Sequence, residues 1–567
     1  MNSDTEQQIP VPPPLPQAPQ RVWERPLYLC CAAFLAVVTA FAVYALSIWF
    51  GNVNQDEGWY LYAARLVAAG KMPYRDFFFT QGPLLPYCYG WLKPLWSTHG
   101  LLGGRILTAV FGLLSALLAA GLARKAVPKR AAAEAAILAF ALTAANLYHA
   151  YFTTLPKTYA LSALFLLAGF LCLTRAIRKR GSKFSFLSAM WAIPAGCLIA
   201  LASGTRLSLG LALPITALTL LFTWKKTGAA FFWFGVGGLA GLLLVYGATF
   251  EQAKEAFLFS QTFHVSRGGR DLFLIGGSCS RIVRAYLPLA LLLLFLTLFR
   301  LIFPTACRKA FADPDADGEE EEDVSGNMAF WPWIWFLNGC GIFLLHLLSP
   351  HPYDDYQVPV MGLFASAGAA WFAMIVRNAN LRSRFCLFWV CAASFASFGS
   401  PLIQSWFIHG LDRFWVIPKT VPDLVQMRRA AHEIRSLAED DATLLTQDLY
   451  LAVEAGMTVP HGLEMGPFSY FPNLPDEQAA RYHVLNKTGL LALLHEAPCR
   501  VAAYSGYGWA IQSPVMDRVP EADRQRFLTL IGQNYDYVSE IPDFGQNRTT
   551  LRILSRRKPI APAEKNP

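Results

Sequence analysis

Apolar residues fall in blocks of sixteen or more, separated by connectors that are short and polar or basic. A block near twenty residues is long enough to cross the hydrocarbon core of a bilayer as a helix. Eleven such blocks are predicted, centred on Leu27–Phe50, Leu101–Ala123, Ala131–Leu147, Thr158–Leu173, Phe186–Ala202, Leu207–Trp224, Ala229–Ala248, Tyr286–Phe303, Met328–Leu348, Val358–Ile375 and Phe385–Ile403. The connectors alternate in charge. Arg21 and Arg25, Arg124–Arg130, Arg175–Lys183, Lys225 and Lys226, Arg308 and Lys309, and Arg377–Arg384 belong to one side, whereas His149–Lys157, Ser203–Arg206 and Ser349–Asp355 carry few cations. Basic loops stay cytoplasmic, which puts the amino terminus in the cytoplasm and, with an odd number of spans, the carboxyl end outside.

Four segments do not span. Residues 51–100 and 251–284 are outer loops, the acidic run Asp313–Asp323 reads as a solvated linker, and the pattern changes from about residue 409. In that tail Met427–Leu437 and Arg524–Ile531 have helical periodicity, while Ala442–Thr446, Val501–Tyr504, Tyr535–Val538 and Leu551–Ile553 read as strands. Helices alternating with strands predict a small soluble α/β domain. The expected organisation is a proline-rich cytoplasmic tail (1–26), an α-helical polytopic membrane domain (27–408) and an extracytoplasmic α/β domain (409–567).

Composition agrees with this division. Of 567 residues, 54% are hydrophobic and only 15% charged, against roughly a quarter charged in soluble domains, which argues against an ordinary soluble enzyme. The net charge of +9 suits basic cytoplasmic loops, so nucleic acid is not needed to account for it. Most of the 11 cysteines sit in apolar blocks, with no CxxC or Cys/His metal spacing. The apolar block after Arg25 is too long for the h-region of a signal peptide.

The outer loop after the first span carries the strongest chemical signal. It opens Asn52-Val53-Asn54-Gln55-Asp56-Glu57-Gly58-Trp59-Tyr60. Asp56 is placed to cap a helix whose apolar positions Trp59, Tyr62, Ala63, Leu66 and Val67 follow helical spacing, with Gly70 as its stop. Asp56 and Glu57 can serve the helix alone, as cap and dipole partner. In the alternative role one of them is a general base at the membrane surface, able to deprotonate an acceptor hydroxyl or amine.

The loop continues Lys71-Met72-Pro73-Tyr74-Arg75-Asp76 and then Gln81-Gly82-Pro83-Leu84. An acidic pair after the first span, a short helix ending in Gly, a Pro-Tyr-Arg-Asp element and a Gly-Pro-Leu element resemble the first outer loop of GT-C fold glycosyltransferases. The nearest branch holds protein O-mannosyltransferases, lipid A aminoarabinose transferases and lipopolysaccharide-core glycosyltransferases. The likeness is strongest over residues 54–89 and continues through span layout to about residue 405. It implies a GT-C-like enzyme of the inner (plasma) membrane that takes a sugar from a polyprenyl-phosphate carrier and transfers it, with inversion, to an envelope lipid, glycan or protein. By the same resemblance Asp56 is the base, and Glu57 and Asp76 are the further acids.

A lipid-linked donor also needs cations near the outer face for its phosphate. The candidates are Lys93, Lys157, Arg206, His264, Arg267, Arg270 and His351, to which the segment Pro350-His351-Pro352-Tyr353-Asp354-Asp355 adds Tyr353. For any one Lys or Arg near a span end, snorkelling is the ordinary role. Asp56, Asp76, His351 and Asp354 form a candidate divalent-metal set, and His461, Glu464 and Tyr470 of the tail are candidates to cover the site. The rival function is a flippase or transporter that binds a lipid-linked sugar without breaking bonds. Such proteins show symmetric halves and broken helices at the midplane, whereas here the polar residues collect at one face. A third reading, an assembly protein docking through its tail, gives Asp56 no role.

Overall fold

A computed structural model describes residues 24–177, 186–265, 272–304, 321–401, 421–512 and 517–557. The proline-rich amino terminus, the acidic run before residue 321, Arg267 and Arg270 lie outside the described residues.

Among the described residues, seven helices are long and apolar enough to cross a membrane, and nine if each of two bent pairs counts as one span. This is fewer than the eleven expected. The first helix, α1 (Glu24–Phe50), is followed by α2 (Gln55–Ala68) and α3 (Leu84–Trp91) in the first loop, and then by α4 (Gly100–Lys125). The block expected at 131–147 is broken by 66° between α5 (Ala132–Ala144) and α6 (Leu147–Thr154). Asn146 makes the break, because its side chain caps the new helix by accepting from His149 N–H at 2.9 Å.

Next come α7 (Thr158–Ala176), α8 (Phe186–Thr205) and α9 (Ala212–Phe222), the last within an apolar stretch, Leu207–Phe222, that is too short to count as a span. They lead to α10 (Ala230–Gln252), α11 (Lys254–Val265) and α12 (Leu272–Ala285). The chain then turns 93° into α13 (Leu287–Ile302), where Pro288 stands in the first turn and cannot continue a preceding helix. The membrane region closes with α14 (Glu321–Leu347), α15 (Met361–Ile375) and α16 (Ala379–Ala396). The opening turns of α16 contain Arg382 and Arg384, which keep it below the hydropathy of a span.

The basic connectors meet at one pole. Glu134, fully buried, lies 3.2 Å from Arg25 and 3.4 Å from Arg382, while Arg384 pairs with Glu24 at 2.6 Å. The other pole gathers the ends of α1, α6 and α8 with the tail.

The tail begins with α17 (Asp423–Ala438) and includes the short α18 (Leu449–Glu454), α19 (Asp476–Arg481), α20 (Lys487–Glu496) and α21 (Glu521–Asn534). Its sheet has the order β1 (Leu444–Leu445), β2 (Val501–Tyr504), β4 (Thr549–Arg556), β3 (Tyr535–Phe544). The β1–β2 pair is parallel with Leu444 opposite Val501, and the other two pairs are antiparallel. The four strands, α17 and α21 overlap the segments whose periodicity predicts them, whereas α18, α19 and α20 are additional.

The tail does not have a core to itself. Trp59, Tyr62, Phe77 and Phe78 of the first loop share one apolar cluster with Leu449, Tyr450, Met465 and Phe471 of the tail. The helix α2 is therefore buried on nearly every side by protein. Its Gly58 permits a close approach that a side chain would block, since a Cβ there would stand 2.3 Å from the Tyr450 nitrogen.

Candidate active site

The first turn of α2 decides which acid reaches solvent. Asn54, not Asp56, is the cap: its side chain accepts from Asp56 N–H at 3.0 Å, and Glu57 Oε1 accepts from Asn54 N–H at 2.8 Å. This reciprocal box uses the residues at the cap and third helical positions, which leaves Asp56 between them with its carboxylate uncommitted to the backbone. Ala69 and then Gly70, at φ +86°, end the helix as its sequence suggests.

Asp56 borders a cavity of about 120 Å³. Lys157 lies 2.7 Å from Asp56 Oδ2 and 3.1 Å from Asp355 Oδ2, so one ammonium bridges two carboxylates. Tyr159 also donates to Asp355 at 2.8 Å. Lys157 stands at the head of α7, where no side chain caps the helix. Across the cavity Arg206 follows α8 and donates to the Thr158 hydroxyl at 3.3 Å. Its guanidinium lies over the rings of Tyr356 at 4.3 Å and Tyr159 at 5.1 Å. It is 8% exposed, has no acid partner among the described residues, and its Nε makes no hydrogen bond. Tyr60, which also lines the space, is buried deeply enough to hold its phenol well above the ordinary range.

The roof comes from the tail. Phe468, Tyr507 and Gln546 line the cavity opposite the spans, with Phe468 edge-on to Trp59 at 4.5 Å. The Gln546 side chain accepts from Gln55 N–H at 3.0 Å. Three further contacts clamp the first loop and α4 to the tail: Val53 N–H to Asp423 at 2.9 Å, Val459 N–H to the Tyr62 hydroxyl at 2.9 Å, and Leu101 N–H to Glu454 at 2.8 Å.

Of the residues singled out in the sequence, Asp56, Lys157, Arg206 and Tyr353 border this one cavity. Glu57 does not. It is fully buried and held by Arg105 at 2.6 and 2.7 Å, and Arg105 spends its remaining donors on the carbonyls of Ile48, Gly51 and Asn52. Asp76 also lies elsewhere, paired with exposed Arg75 at 2.8 Å and accepting from Met72 N–H at 2.7 Å; the Arg75 contact holds its carboxyl below the usual range. Lys93 opens a short helix away from the cavity, and the His351 ring lies 6.2 Å from that of Tyr353 without lining the space. The backbone of His264 belongs to α11, but its side chain is outside the described residues, as are Arg267 and Arg270.

The candidate metal set does not assemble. Among the described residues no three His, Cys, Asp or Glu side chains are arranged to hold an ion. Asp354 pairs instead with Arg281 at 2.9 Å and accepts from the Tyr148 hydroxyl. Each of the three acids considered thus faces a cation of the protein. His461, Glu464 and Tyr470 of the tail do not border the cavity either; His461 and Glu464 pair with each other at 2.8 Å.

Tyr159, Thr158 and the roof residues are not among the residues that the sequence points to, and Asp355 enters only as part of the acidic doublet after Tyr353. Asp355 had a visible signal, an acid doublet just ahead of an apolar block. The roof residues lie more than 400 positions from Asp56 and have no such signal.

No protein-family model matches the chain, and no curated protein sequence does. Solved structures do. ArnT from Cupriavidus metallidurans bound to undecaprenyl phosphate is similar over 92% of this chain and 97% of its own, with TM-score 0.54 and 12% identity. Its apo state gives 0.53 at 15% identity over the same shares. An Archaeoglobus fulgidus oligosaccharyltransferase in complex with Zn and sulfate matches at TM-score 0.48 and 14% identity, over 90% of this chain and 72% of that one. At such identities the likeness is one of fold: the chain is a polytopic membrane protein of GT-C architecture with a small carboxyl-terminal sheet domain.

Proposed function

We propose that this protein transfers a sugar from a polyprenyl-phosphate carrier to an acceptor at the membrane surface. What supports the reading is that a carboxylate, a lysine shared between two carboxylates and an arginine with no acid partner among the described residues all border one cavity. The fold it shares with a protein solved bound to undecaprenyl phosphate is consistent with such a donor.

In this reading Arg206, Lys157 and the uncapped head of α7 hold the carrier's phosphate, where the helix dipole adds to the two cations. Drawing Lys157 toward the phosphate releases Asp56 from its 2.7 Å ion pair. Asp56 then accepts the proton of the acceptor hydroxyl or amine. The acceptor atom bonds to the anomeric carbon from the face opposite the phosphate, and the C–O bond to the carrier breaks. Its electron pair leaves on the phosphate oxygen, with inversion at the anomeric centre. The leaving phosphate gains one negative charge, which a buried guanidinium lacking an acid partner is well suited to stabilise.

The same reading puts the Arg25–Arg130–Arg382 pole in the cytoplasm and the cavity outside. Residues 27–408 then form the catalytic membrane domain and 409–567 an extracytoplasmic domain, in the inner (plasma) membrane, with an envelope lipid, glycan or protein as acceptor. The test is purified protein in proteoliposomes given a panel of polyprenyl-phosphate sugars. Transfer releases free polyprenyl phosphate and Asp56→Asn stops it in folded protein, whereas a flippase moves the lipid across the bilayer and releases none.

A further inference from the structure

Gln55 is 2% exposed and borders the cavity beside Asp56. Its amide nitrogen donates to Asp448 Oδ1 at 2.9 Å and to the Tyr450 hydroxyl at 3.1 Å. The opposite end, Oε1, is buried and has no hydrogen-bond partner. An amide of this kind is normally free to be read either way round, but here its orientation follows from chemistry. Asp448 accepts from Gln55, Tyr450 at 3.0 Å, Ser505 N–H at 2.8 Å and the Ser505 hydroxyl at 3.1 Å, the pattern of an acceptor-only carboxylate. Only the NH₂ end of Gln55 can face it. The oxygen is therefore the surplus end, and a buried carbonyl oxygen without a donor is unfavourable because its lost hydration is not replaced.

We infer that Gln55 Oε1 accepts a hydrogen bond from a hydroxyl or amino group of the sugar being transferred, and that Asp448 is the positioning residue that keeps this oxygen turned to the site. The inference rests on the glycosyl-transfer reading above and deepens it: the tail, through Asp448, takes part in sugar selection while Arg206 and Lys157 hold the phosphate. A site built to accept from a substrate hydroxyl rejects the analogue lacking it, because its own polar atom is then left unpaired. Burial raises the Asp448 carboxyl above its ordinary range, and its four donors oppose that shift.

The experiment is a double-mutant cycle in the full-length protein, reconstituted in proteoliposomes with the donor found active in the panel and with that donor's deoxy and deamino analogues. Undecaprenyl phosphate alone is the binding probe for the phosphate end. Gln55→Met is expected to raise KM for the intact donor about tenfold, leave undecaprenyl phosphate binding within twofold, and erase the preference over one analogue. Gln55→Glu puts two carboxylates in contact, and Asp448→Asn lets the Gln55 amide turn over; each alone loses the preference. The combination of the two restores it, because the carboxylate introduced on α2 then accepts from the amide introduced in the tail and still presents an oxygen to the cavity. Wild-type discrimination retained in Gln55→Met, or a double variant no better than the two singles, overturns the inference while leaving the transfer reading in place. A wild type that transfers from no donor in the panel overturns both.

Discussion

Asp56 and Glu57 are adjacent acids on one helical turn, and their surroundings could hardly differ more. Glu57 and Arg105 are fully buried, joined by two short hydrogen bonds, with every remaining donor of Arg105 on a backbone carbonyl. Asp56 has 23% of its side chain exposed to a cavity and holds one oxygen against a lysine that Asp355 also claims. One pair is saturated and closed; the other is shared, open and borders the same cavity as an arginine with no acid partner among the described residues. A saturated buried pair resists change, because breaking it strands a charge. A shared pair can exchange partners when an anion arrives. The cap explains the division: Asn54 and Glu57 satisfy the helix end, so the carboxylate between them is not used by the cap.

The contrast predicts opposite outcomes for two conservative amide substitutions. Asp56→Asn is expected to lower transfer by roughly 10²–10⁴-fold, the usual worth of a general base, while thermal stability in detergent stays unchanged. Glu57→Gln, and more so Arg105→Ala, should destabilise by about 3–5 kcal/mol because the surviving partner is buried and charged. Fluorescence-detected gel filtration after a heat step reads that difference. If Glu57→Gln proves stable but inactive, the closed pair belongs to the site after all and the division between the two acids fails.

A smaller effect sharpens the open side. Arg206→Ala removes a cation that makes no ion pair with an acid among the described residues, so its loss is expected to fall on the anionic ligand. Undecaprenyl phosphate should bind about ten- to a hundredfold more weakly, the worth of one or two charge-assisted hydrogen bonds, with little change in melting temperature. Equal loss of fold and binding would make Arg206 a packing residue on Tyr356 and Tyr159 instead.

How much of this could be read beforehand follows from the range of each signal. The end of α2 at Gly70 and the place of Asp56 beside the membrane come from local pattern, and local pattern is legible. The cap is ambiguous in the sequence because Asn54 and Asp56 are both good capping residues, and only the Glu57 return bond selects the first. Arg105 carried a warning, since a charge in the first turns of an apolar 26-residue helix needs a buried partner. Charge counting found Lys157 and Arg206 but could not distinguish them from Lys93, because sharing a cavity depends on how α7 and α8 pack. The expected span count is higher than nine because Leu207–Phe222 is too short to count and Arg382 and Arg384 lower the hydropathy of α16, and neither shows in the length of an apolar block alone. Nothing local to Gln55 points to Asp448 or Gln546, whose nearness depends on tail folding.

The weakest prediction tests the tail's edge, away from both acids. Glu464 accepts from His461 Nδ1 at 2.8 Å and holds the imidazole above its ordinary range. A pKa raised in the folded state means the fold binds the proton more tightly. The contribution is therefore complete below the ordinary imidazole value, near 6.5, and disappears as pH rises through the elevated one. The ring is mostly exposed, so solvent limits the effect to a few tenths of a kcal/mol. The melting temperature of the wild type relative to Glu464→Gln should narrow slightly from pH 6 toward pH 8. His483, 3.4 Å from the other nitrogen of His461, is pushed the opposite way by burial and by that neighbour, so charging one ring disfavours charging the other. A gap that widens with pH would mean that Glu464 stabilises the tail through Gly462 N–H, which it accepts at 2.8 Å, and not through the imidazolium.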